Sequence, residues 1–451
     1  MGNLTNQSIR INSVVDADRL ILQPSAGRSD SFEIMDTRSG QCLGTVTQAP
    51  GSAHEVELFF GKGGFMAMIT SPQGARYFAL PGSSLSLPGL SLVLEGCAIT
   101  TNPGKASATQ RPFQPQAHSQ QATILGAGLA TRFERISGDS TQYSKPAVPL
   151  AGKCSVIACI ANSLVAHGFS RLVVNTYFKP VSLKASLNQT PAQQIAYIDE
   201  DQPSGTAGGL RKMLLDPKHR ELLNLEQPLL VVQGDAVTDA SFSDLMNAHV
   251  AQNALITIGC QEVAAKDVDK FGIIVTDRSG SDGLSGRITG FQEKPKAEEA
   301  LSRLGNTGFY ILSPKAFPLV QRIYSELLEK AQTQAKAQGQ PVPAEVPFDF
   351  AMDLFPAILK LTQDDPSVGA FWAQAVDGYW SDIGNPVQYL ESIHDLYAGK
   401  VNIPLPEAAH QYYRDGVIFW DGAQRIADDE QAQLQGNIVV ALPFKPEAQT
   451  V

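Results

Sequence analysis

One stretch restricts the rest of the chain more than any other: Ala122 to Lys153, ATILGAGLATRFERISGDSTQYSKPAVPLAGK. It opens on a short apolar run, Ala122 to Leu125, of the length and bounding expected of a buried strand. Gly126-Ala127-Gly128-Leu129-Ala130-Thr131-Arg132 follows, a small-residue loop closed by a cation. Backbone N–H groups in such a loop approach a phosphate chain closely, and an arginine holds two phosphate oxygens at once. A second cation, Lys145, sits in Ser144-Lys145-Pro146, and Gly152-Lys153 closes the stretch before a helical pattern begins. Alone, a glycine loop after a strand is more often a tight turn than a phosphate cradle. Two spaced cations, and carboxylates further on, favour the cradle.

Downstream, Val156, Ile157, Ile160, Leu164 and Val165 recur at helical spacing, with Gly168 placed to end the helix. Strand patterns follow at 171–175 and 194–198, and then Gly205-Thr206-Ala207-Gly208-Gly209-Leu210 leads into another helix. That glycine-rich turn lets a planar base or ribose lie against bare backbone, although an ordinary strand-to-helix turn has the same look. Leu229-Leu230-Val231-Val232 reads as a central parallel strand buried on both faces. Gly234-Asp235 comes just beyond its carboxyl end, where ligands bind in open α/β sheets. A carboxylate there suits Mg²⁺ held against phosphates; the competing reading is a helix N-cap, since Ser241 and Asp244 follow closely. Strand patterns at 254–258, 287–293 and 306–312 and a long helix from Pro314 complete an alternation that predicts an α/β fold over 122–402. The expected architecture is a doubly wound, mostly parallel sheet.

These residues carry a family resemblance. The signature G-x-G-T-R…P-K-P-x-x-P of the sugar-1-phosphate nucleotidyltransferases resembles Gly126 to Arg132 and Ser144-Lys145-Pro146-Ala147-Val148-Pro149. The likeness runs over roughly Ala122 to Lys400, with three departures: Ala130 for a usual glycine, Ser144 for proline, and a longer spacer from Arg132 to Lys145. By this resemblance Arg132 and Lys145 hold the triphosphate and stabilise leaving pyrophosphate. Leu125, Gly126, Ala127, Gly128, Gly205, Thr206 and Ala207 would line the nucleotide. Glu293-Lys294-Pro295 resembles the family's E-K-P, with Glu293 on sugar hydroxyls and Lys294 on the sugar phosphate. Gly234, Asn306 and Thr307 complete the sugar site, the last two within a segment similar to N-x-G-x-Y. Trp380-Ser381-Asp382 within 378–386 looks like the second metal motif, so Asp235 and Asp382 would bind Mg²⁺. The implied reaction joins a nucleoside triphosphate to a hexose 1-phosphate. The GTAG form resembles the branch making GDP-mannose, and the 126–133 loop resembles the UDP-glucose version. A non-catalytic regulator that binds sugar nucleotides is the rival.

Outside that region, residues 1–100 read as a β-rich module, with apolar runs at 20–22, 32–35, 56–60, 65–70 and 85–94 separated by turn signals; docking or oligomerisation is its favoured role and ligand binding or regulation the alternative. Residues 101–121 have a linker's composition, rich in Gln, Pro, Ser and Thr. Residues 403–451 suggest a short tail resembling two coils of a left-handed β-helix. The formal charge of −10 and the absence of a basic run argue against nucleic acid as a partner. No apolar run approaches the ~20 residues of a membrane span. The N-terminus is polar, and Asn6 occupies the Ser/Thr position of a myristoylation motif. Five scattered cysteines, Cys42, Cys97, Cys154, Cys159 and Cys260, show neither metal spacing nor a disulfide framework. A cytoplasmic location is expected, with homo-oligomerisation allowed.

Overall fold

Gln120–Leu125 lies inside a nine-stranded sheet in the computed structural model, which describes residues 9–11, 20–61, 64–95, 120–128, 144–151, 154–188, 190–192, 194–216, 223–403, 413–414, 417–419, 427–435 and 438–441. Its strands run in the order Gln194–Asp199, Phe169–Thr176, Gln120–Leu125, Leu229–Gln233, Leu304–Leu312, Ala254–Glu262, Ala370–Ala375, Gly286–Glu293 and Gly272–Thr276. The first four are parallel. Leu304–Leu312 then runs antiparallel to both neighbours, and one further parallel pair joins Ala254–Glu262 to Ala370–Ala375.

The expected mostly parallel sheet is therefore corrected to a mixed one. The cause lies in the hairpin Gly272–Thr276 to Gly286–Glu293, whose short connection permits only antiparallel pairing, and in the strand that follows it into the sheet centre.

Why four consecutive aliphatics form a central strand is now visible. Alternate side chains point to opposite faces, so Leu230 and Val232 join Ile157, Ile160, Leu164, Leu183 and Phe242 on one side. Leu229 and Val231 join Leu210, Met213, Val320 and Phe355 on the other. Both faces are covered by helices, and each buried side chain contributes about 1.5–3 kcal/mol. Gln120–Leu125 is first in the chain and Leu229–Gln233 fourth, yet they are neighbours. Strand order reverses between them, which opens a crevice at their carboxyl ends where Gly126 and Gly234 sit.

A second unit is a β-sandwich. One sheet holds Leu20–Pro24, Ser31–Asp36, Cys42–Gln48, Leu90–Leu94, Ser84–Leu87 and Gln433–Gln435. The other holds Ile9–Ile11, Glu55–Gly61, Gly64–Thr70, Arg76–Ala79, Ile438–Ala441, Val417–Phe419 and Tyr413–Arg414. Ile34, Val46 and Leu92 meet Val56, Leu58, Tyr77, Ile438 and Val440 between them.

The C-terminal strands thus belong to the N-terminal module, and the separate β-helix-like tail is corrected. Ile438–Ala441 does lie parallel to Val417–Phe419, as stacked coils would. Its other edge pairs antiparallel with Arg76–Ala79, and Gln433–Gln435 pairs with Ser84–Leu87. Two coils bury too little to stand alone, whereas Ile438 and Val440 gain a complete core from residues 20–94. Of the expected linker, residues 101–119 lie outside the described residues, and Gln120 and Gln121 already belong to the first strand.

The outer face of the sandwich packs on the α/β unit. Phe59, Met66, Met68, Phe78 and Leu80 share a cluster with Val148, Leu150, Val156, Ile383, Val387, Leu390 and Ile393. Among the described residues no helix is long and apolar enough to cross a membrane.

Two buried histidines give the fold a defined acid response. Burial lowers His249 and His394 to about 4, with the Lys400 charge adding to the effect at His394. Unfolding restores the ordinary value near 6.5, so below it the unfolded chain takes up protons that the folded one refuses. The stability they allow is complete above pH 6.5 and is lost as pH falls toward 4, by up to ~3 kcal/mol each. Glu391, pushed up to about 7 by burial and by Asp395, works in the opposite direction, but it is partly exposed and weaker. We expect the melting temperature to fall between pH 7.5 and pH 5; a flat profile would contradict this account.

Candidate active site

Two carboxylates meet through a short ladder. Ala236–Thr238 pairs antiparallel with Trp380–Asp382, placing Ala236 opposite Asp382. The Ile383 N–H donates to the Asp235 carbonyl at 3.2 Å. Asp239 tightens the same corner, accepting from the Tyr379 N–H at 2.5 Å and the Asn402 N–H at 2.7 Å. Asp235 and Asp382, 147 residues apart by subtraction of their numbers, thereby face one cleft.

Lys145 enters that cleft from the 3₁₀ turn Lys145–Ala147. Its Nζ lies 2.5 Å from Asp235 Oδ2 and 3.6 Å from Asp382 Oδ1. Burial alone would lower the ammonium's pKa, but the two aspartate charges outweigh it and raise it above the ordinary lysine value. Burial raises the Asp382 carboxyl, the Lys145 charge opposes this, and the Asp235 charge adds to the rise. Lys294 also lowers Asp382 through its charge, which puts the Glu293-Lys294 pair on the same cleft. Lys294 Nζ is 3.1 Å from Glu293 Oε1, and its backbone is left-handed at φ 47°.

The strand Leu304–Leu312 supplies Asn306, whose Nδ2 donates to the Tyr310 hydroxyl at 3.1 Å while its Oδ1 accepts from the Gly308 N–H at 2.9 Å. Gly308 has φ +80° and lies so close to the Gln233 side chain that a Cβ would clash. Thr307 points elsewhere: its hydroxyl is buried and donates to the Gly259 carbonyl at 2.7 Å. Of this pair, Asn306 alone offers a partly exposed side chain.

On the nucleotide side, Leu125 contributes its carbonyl, which accepts from the Gly234 N–H at 2.9 Å and so joins the two glycine loops. Gly126 is hemmed in by Leu183 and Asn175, while a Cβ on Gly128 would meet open space. Ala127 is half-buried beside them. Gly205 requires its glycine, since φ is +84° and a Cβ would strike the Phe348 backbone. Thr206 starts the helix Thr206–Leu215, and both its N–H, at 3.1 Å, and its hydroxyl, at 2.9 Å, donate to Asp349 Oδ1. Ala207 is fully buried. Arg132 lies outside the described residues.

Sequence reasoning missed the groups that tie these loops together. Asn175 Oδ1 accepts from the Gly126 N–H at 2.8 Å, and its Nδ2 donates to Glu200 Oε1 at 2.7 Å. Glu200 Oε2 accepts from the Ser204 hydroxyl and lies 3.6 Å from Lys212 Nζ. Asn175 and Glu200 are both buried. This bridge couples the 126–128 loop to the start of the 206–215 helix. Both residues sit at or just beyond carboxyl ends of sheet strands, and attention to that location would have found them. An Asn175→Leu change leaves Glu200 Oε1 without its partner, at about 1–3 kcal/mol, and leaves the Gly126 N–H only its longer 3.2 Å bond to the backbone carbonyl of residue 175. We expect the KM for the triphosphate to rise roughly ten- to a hundredfold, with a smaller effect on kcat. An unchanged KM with a lowered melting temperature would make the bridge merely structural.

The matched family model is that of nucleotidyl transferases, and it spans residues 121–398. The chain belongs to the nucleotidyl transferase family. It is therefore an enzyme of that class. A UTP–glucose-1-phosphate uridylyltransferase of a Synechocystis strain is 27% identical over 71% of this chain and 73% of its own length. A glucose-1-phosphate adenylyltransferase of a Thermotoga strain is 27% identical over 61% of this chain and 60% of its own. A crystal structure of a UDP-glucose pyrophosphorylase complexed with UDP-glucose is 18% identical with a TM-score of 0.47, covering 62% of this chain and 99% of that one. The N-terminal strands, residues 9–94, lie outside the matched family region.

Proposed function

We propose that this nucleotidyltransferase joins a nucleoside triphosphate to a hexose 1-phosphate, releasing pyrophosphate. The observation that carries the reading is the convergence of Lys145, Asp235 and Asp382, from three distant segments, at the strand-order reversal. A phosphate oxygen of the sugar attacks the α-phosphorus in line, so the protein chiefly positions the reactants and neutralises charge. Lys145 stands ready for triphosphate oxygens, with Arg132 assigned alongside it. Lys294 takes the sugar phosphate, and Glu293 with Asn306 orients the sugar. Gly128 leaves open backbone for the nucleotide, Gly126 and Gly205 let their loops pack closely against Leu183, Asn175 and the Phe348 backbone, and Thr307 contributes through its strand rather than its hydroxyl.

Asp235 and Asp382 fit a Mg²⁺ ion: they are hard oxygen donors converging on one cation position, and Mg²⁺ binds through one or two carboxylates plus substrate phosphates. Among the described residues no third His, Cys, Asp or Glu joins them, which leaves the remaining coordination to water and phosphate. Such an ion would neutralise charge between the phosphates.

For the substrates we assign UTP and glucose 1-phosphate. The relative covering 71% of this chain is named for that pair, which outweighs the leaning of the GTAG form toward GTP and mannose 1-phosphate. A coupled pyrophosphate assay across UTP, GTP, ATP and both sugar phosphates tests this. We expect UTP with glucose 1-phosphate to exceed the others at least tenfold in kcat/KM. Preferred turnover of GTP with mannose 1-phosphate would overturn the substrate assignment, and binding without pyrophosphate release in any combination would favour a regulator.

A further inference from the structure

A pair of cysteines behind the site is built differently from the other described cysteines, Cys42 and Cys260. Cys154 and Cys159 Sγ lie 3.1 Å apart, about an ångström beyond a disulfide bond of ~2.05 Å. The local sequence explains the approach. Ser155 caps the helix Val156–Ala166, accepting from the Ala158 N–H, so Cys154 precedes the cap and Cys159 is the fourth helical residue. Side chains at these two positions pack together at many helix starts as an apolar staple. Here the staple is two thiols.

The two sulfurs have unequal surroundings. Cys154 is partly exposed and Cys159 is buried. The hydrogen bond between them lowers the Cys154 thiol's pKa, while that bond and burial push Cys159 well up. Cys154 is thus the more accessible sulfur and the one more readily deprotonated, with Cys159 buried in contact with it, the arrangement of an attacking and a resolving cysteine. Cys260, by contrast, is buried with its pKa pushed up to about 12.

We propose that Cys154 and Cys159 form a redox-modification site that hydrogen peroxide closes into an intramolecular disulfide. The Cys154 thiolate attacks a peroxide oxygen; an S–O bond forms, the O–O bond breaks, and hydroxide leaves to become water. The Cys159 sulfur then attacks the sulfenic sulfur; the S–S bond forms, the S–O bond breaks, and the Cys159 proton departs with that oxygen as water. Two thiols are oxidised and one peroxide is reduced to two waters. The product sits next to the active-site frame, because the Val156 N–H donates to the Val148 carbonyl and Val148 caps the Lys145 turn.

The test treats the full-length protein with hydrogen peroxide, alkylates it after denaturation, and maps the peptides by mass. The expected product is a 154–159 peptide lighter by the two lost hydrogens and carrying no alkyl group, reverting to two alkylated cysteines after dithiothreitol. In Cys159→Ser, dimedone should trap a sulfenic acid on Cys154. In Cys154→Ser, Cys159 should stay reduced. Oxidation of wild-type Cys154 to the sulfinic acid with Cys159 still alkylated would overturn the proposal, as would both thiols surviving peroxide, and the pair would then be a packing staple only.

Discussion

Asp235→Asn or Asp382→Asn is expected to lower kcat about a thousandfold, or roughly 4 kcal/mol of transition-state stabilisation. The fold should remain, since neither side chain belongs to the helix-covered cores on the sheet's two faces. The size of the effect follows from what the pair does together. Each removal deletes one hard oxygen donor and half of the negative charge facing Lys145. In Asp235→Asn, the ammonium loses its 2.5 Å partner and keeps the carboxylate at 3.6 Å. Its pKa should therefore drop toward the ordinary value, because burial is then opposed by one charge instead of two. Stability should change little, as the cleft is partly open to solvent and Asp382 remains a counter-charge. Steady-state kinetics with thermal melts of both variants read this out. Near wild-type turnover in both would remove the carboxylates from the mechanism; equal collapse of melting temperature and activity would assign them to folding.

How far the chain could be read beforehand differs between its parts, for physical reasons. Leu229–Gln233 is legible because a strand covered on both faces needs an unbroken aliphatic run, and little else explains four in succession. Asp235 is legible because it lies directly beyond that strand. Asp382 needed the motif, since nothing local shows that Trp380–Asp382 will pair with Ala236–Thr238. The Leu304–Leu312 strand shows why the sheet looked more parallel in the sequence than it is. A strand buried among neighbours carries the same aliphatic pattern in either direction, so orientation has no local signature. Asn175 and Glu200 stayed hidden for a related reason: a polar residue ending a strand is common, and the buried bridge between them joins residues 25 positions apart.

The C-terminal strands and the module face were the least legible. Val439 and Ile438 read as any short β run, yet one faces the α/β unit and the other the sandwich core. Nothing in a period-two pattern says which distant edge a strand will join. The two cysteines illustrate the same limit on a smaller scale, because sequence spacing suggests no framework while helix capping brings their sulfurs into contact.

That architecture changes what cutting the chain should do. The composition of 101–121 makes it a protease target, and the sequence alone suggests that a cut there frees two independent modules. We expect the opposite: a chain cut within that segment should elute as one species on native size exclusion and separate only in denaturant. After the cut, Ile438–Ala441 in the larger piece still pairs with Arg76–Ala79 in the smaller, and Gln433–Gln435 with Ser84–Leu87. Phe59, Met66, Phe78 and Leu80 remain buried against Val148, Leu150, Val387 and Leu390, each worth up to about 1.5–3 kcal/mol. The segment 120–451 expressed alone should therefore aggregate or melt at least 10 °C lower, exposing the apolar side chains behind Lys145. A point change isolates the interface from the rest of the sandwich. Phe78→Ala, at a fully buried position, should cost about 3–5 kcal/mol, and it should weaken activity as well as stability, because Val148 and Leu150 carry the backbone that continues from the Lys145 turn. Separation of the cut pieces under native conditions, with full activity in the larger one, would show that the sandwich is a passenger and not a brace.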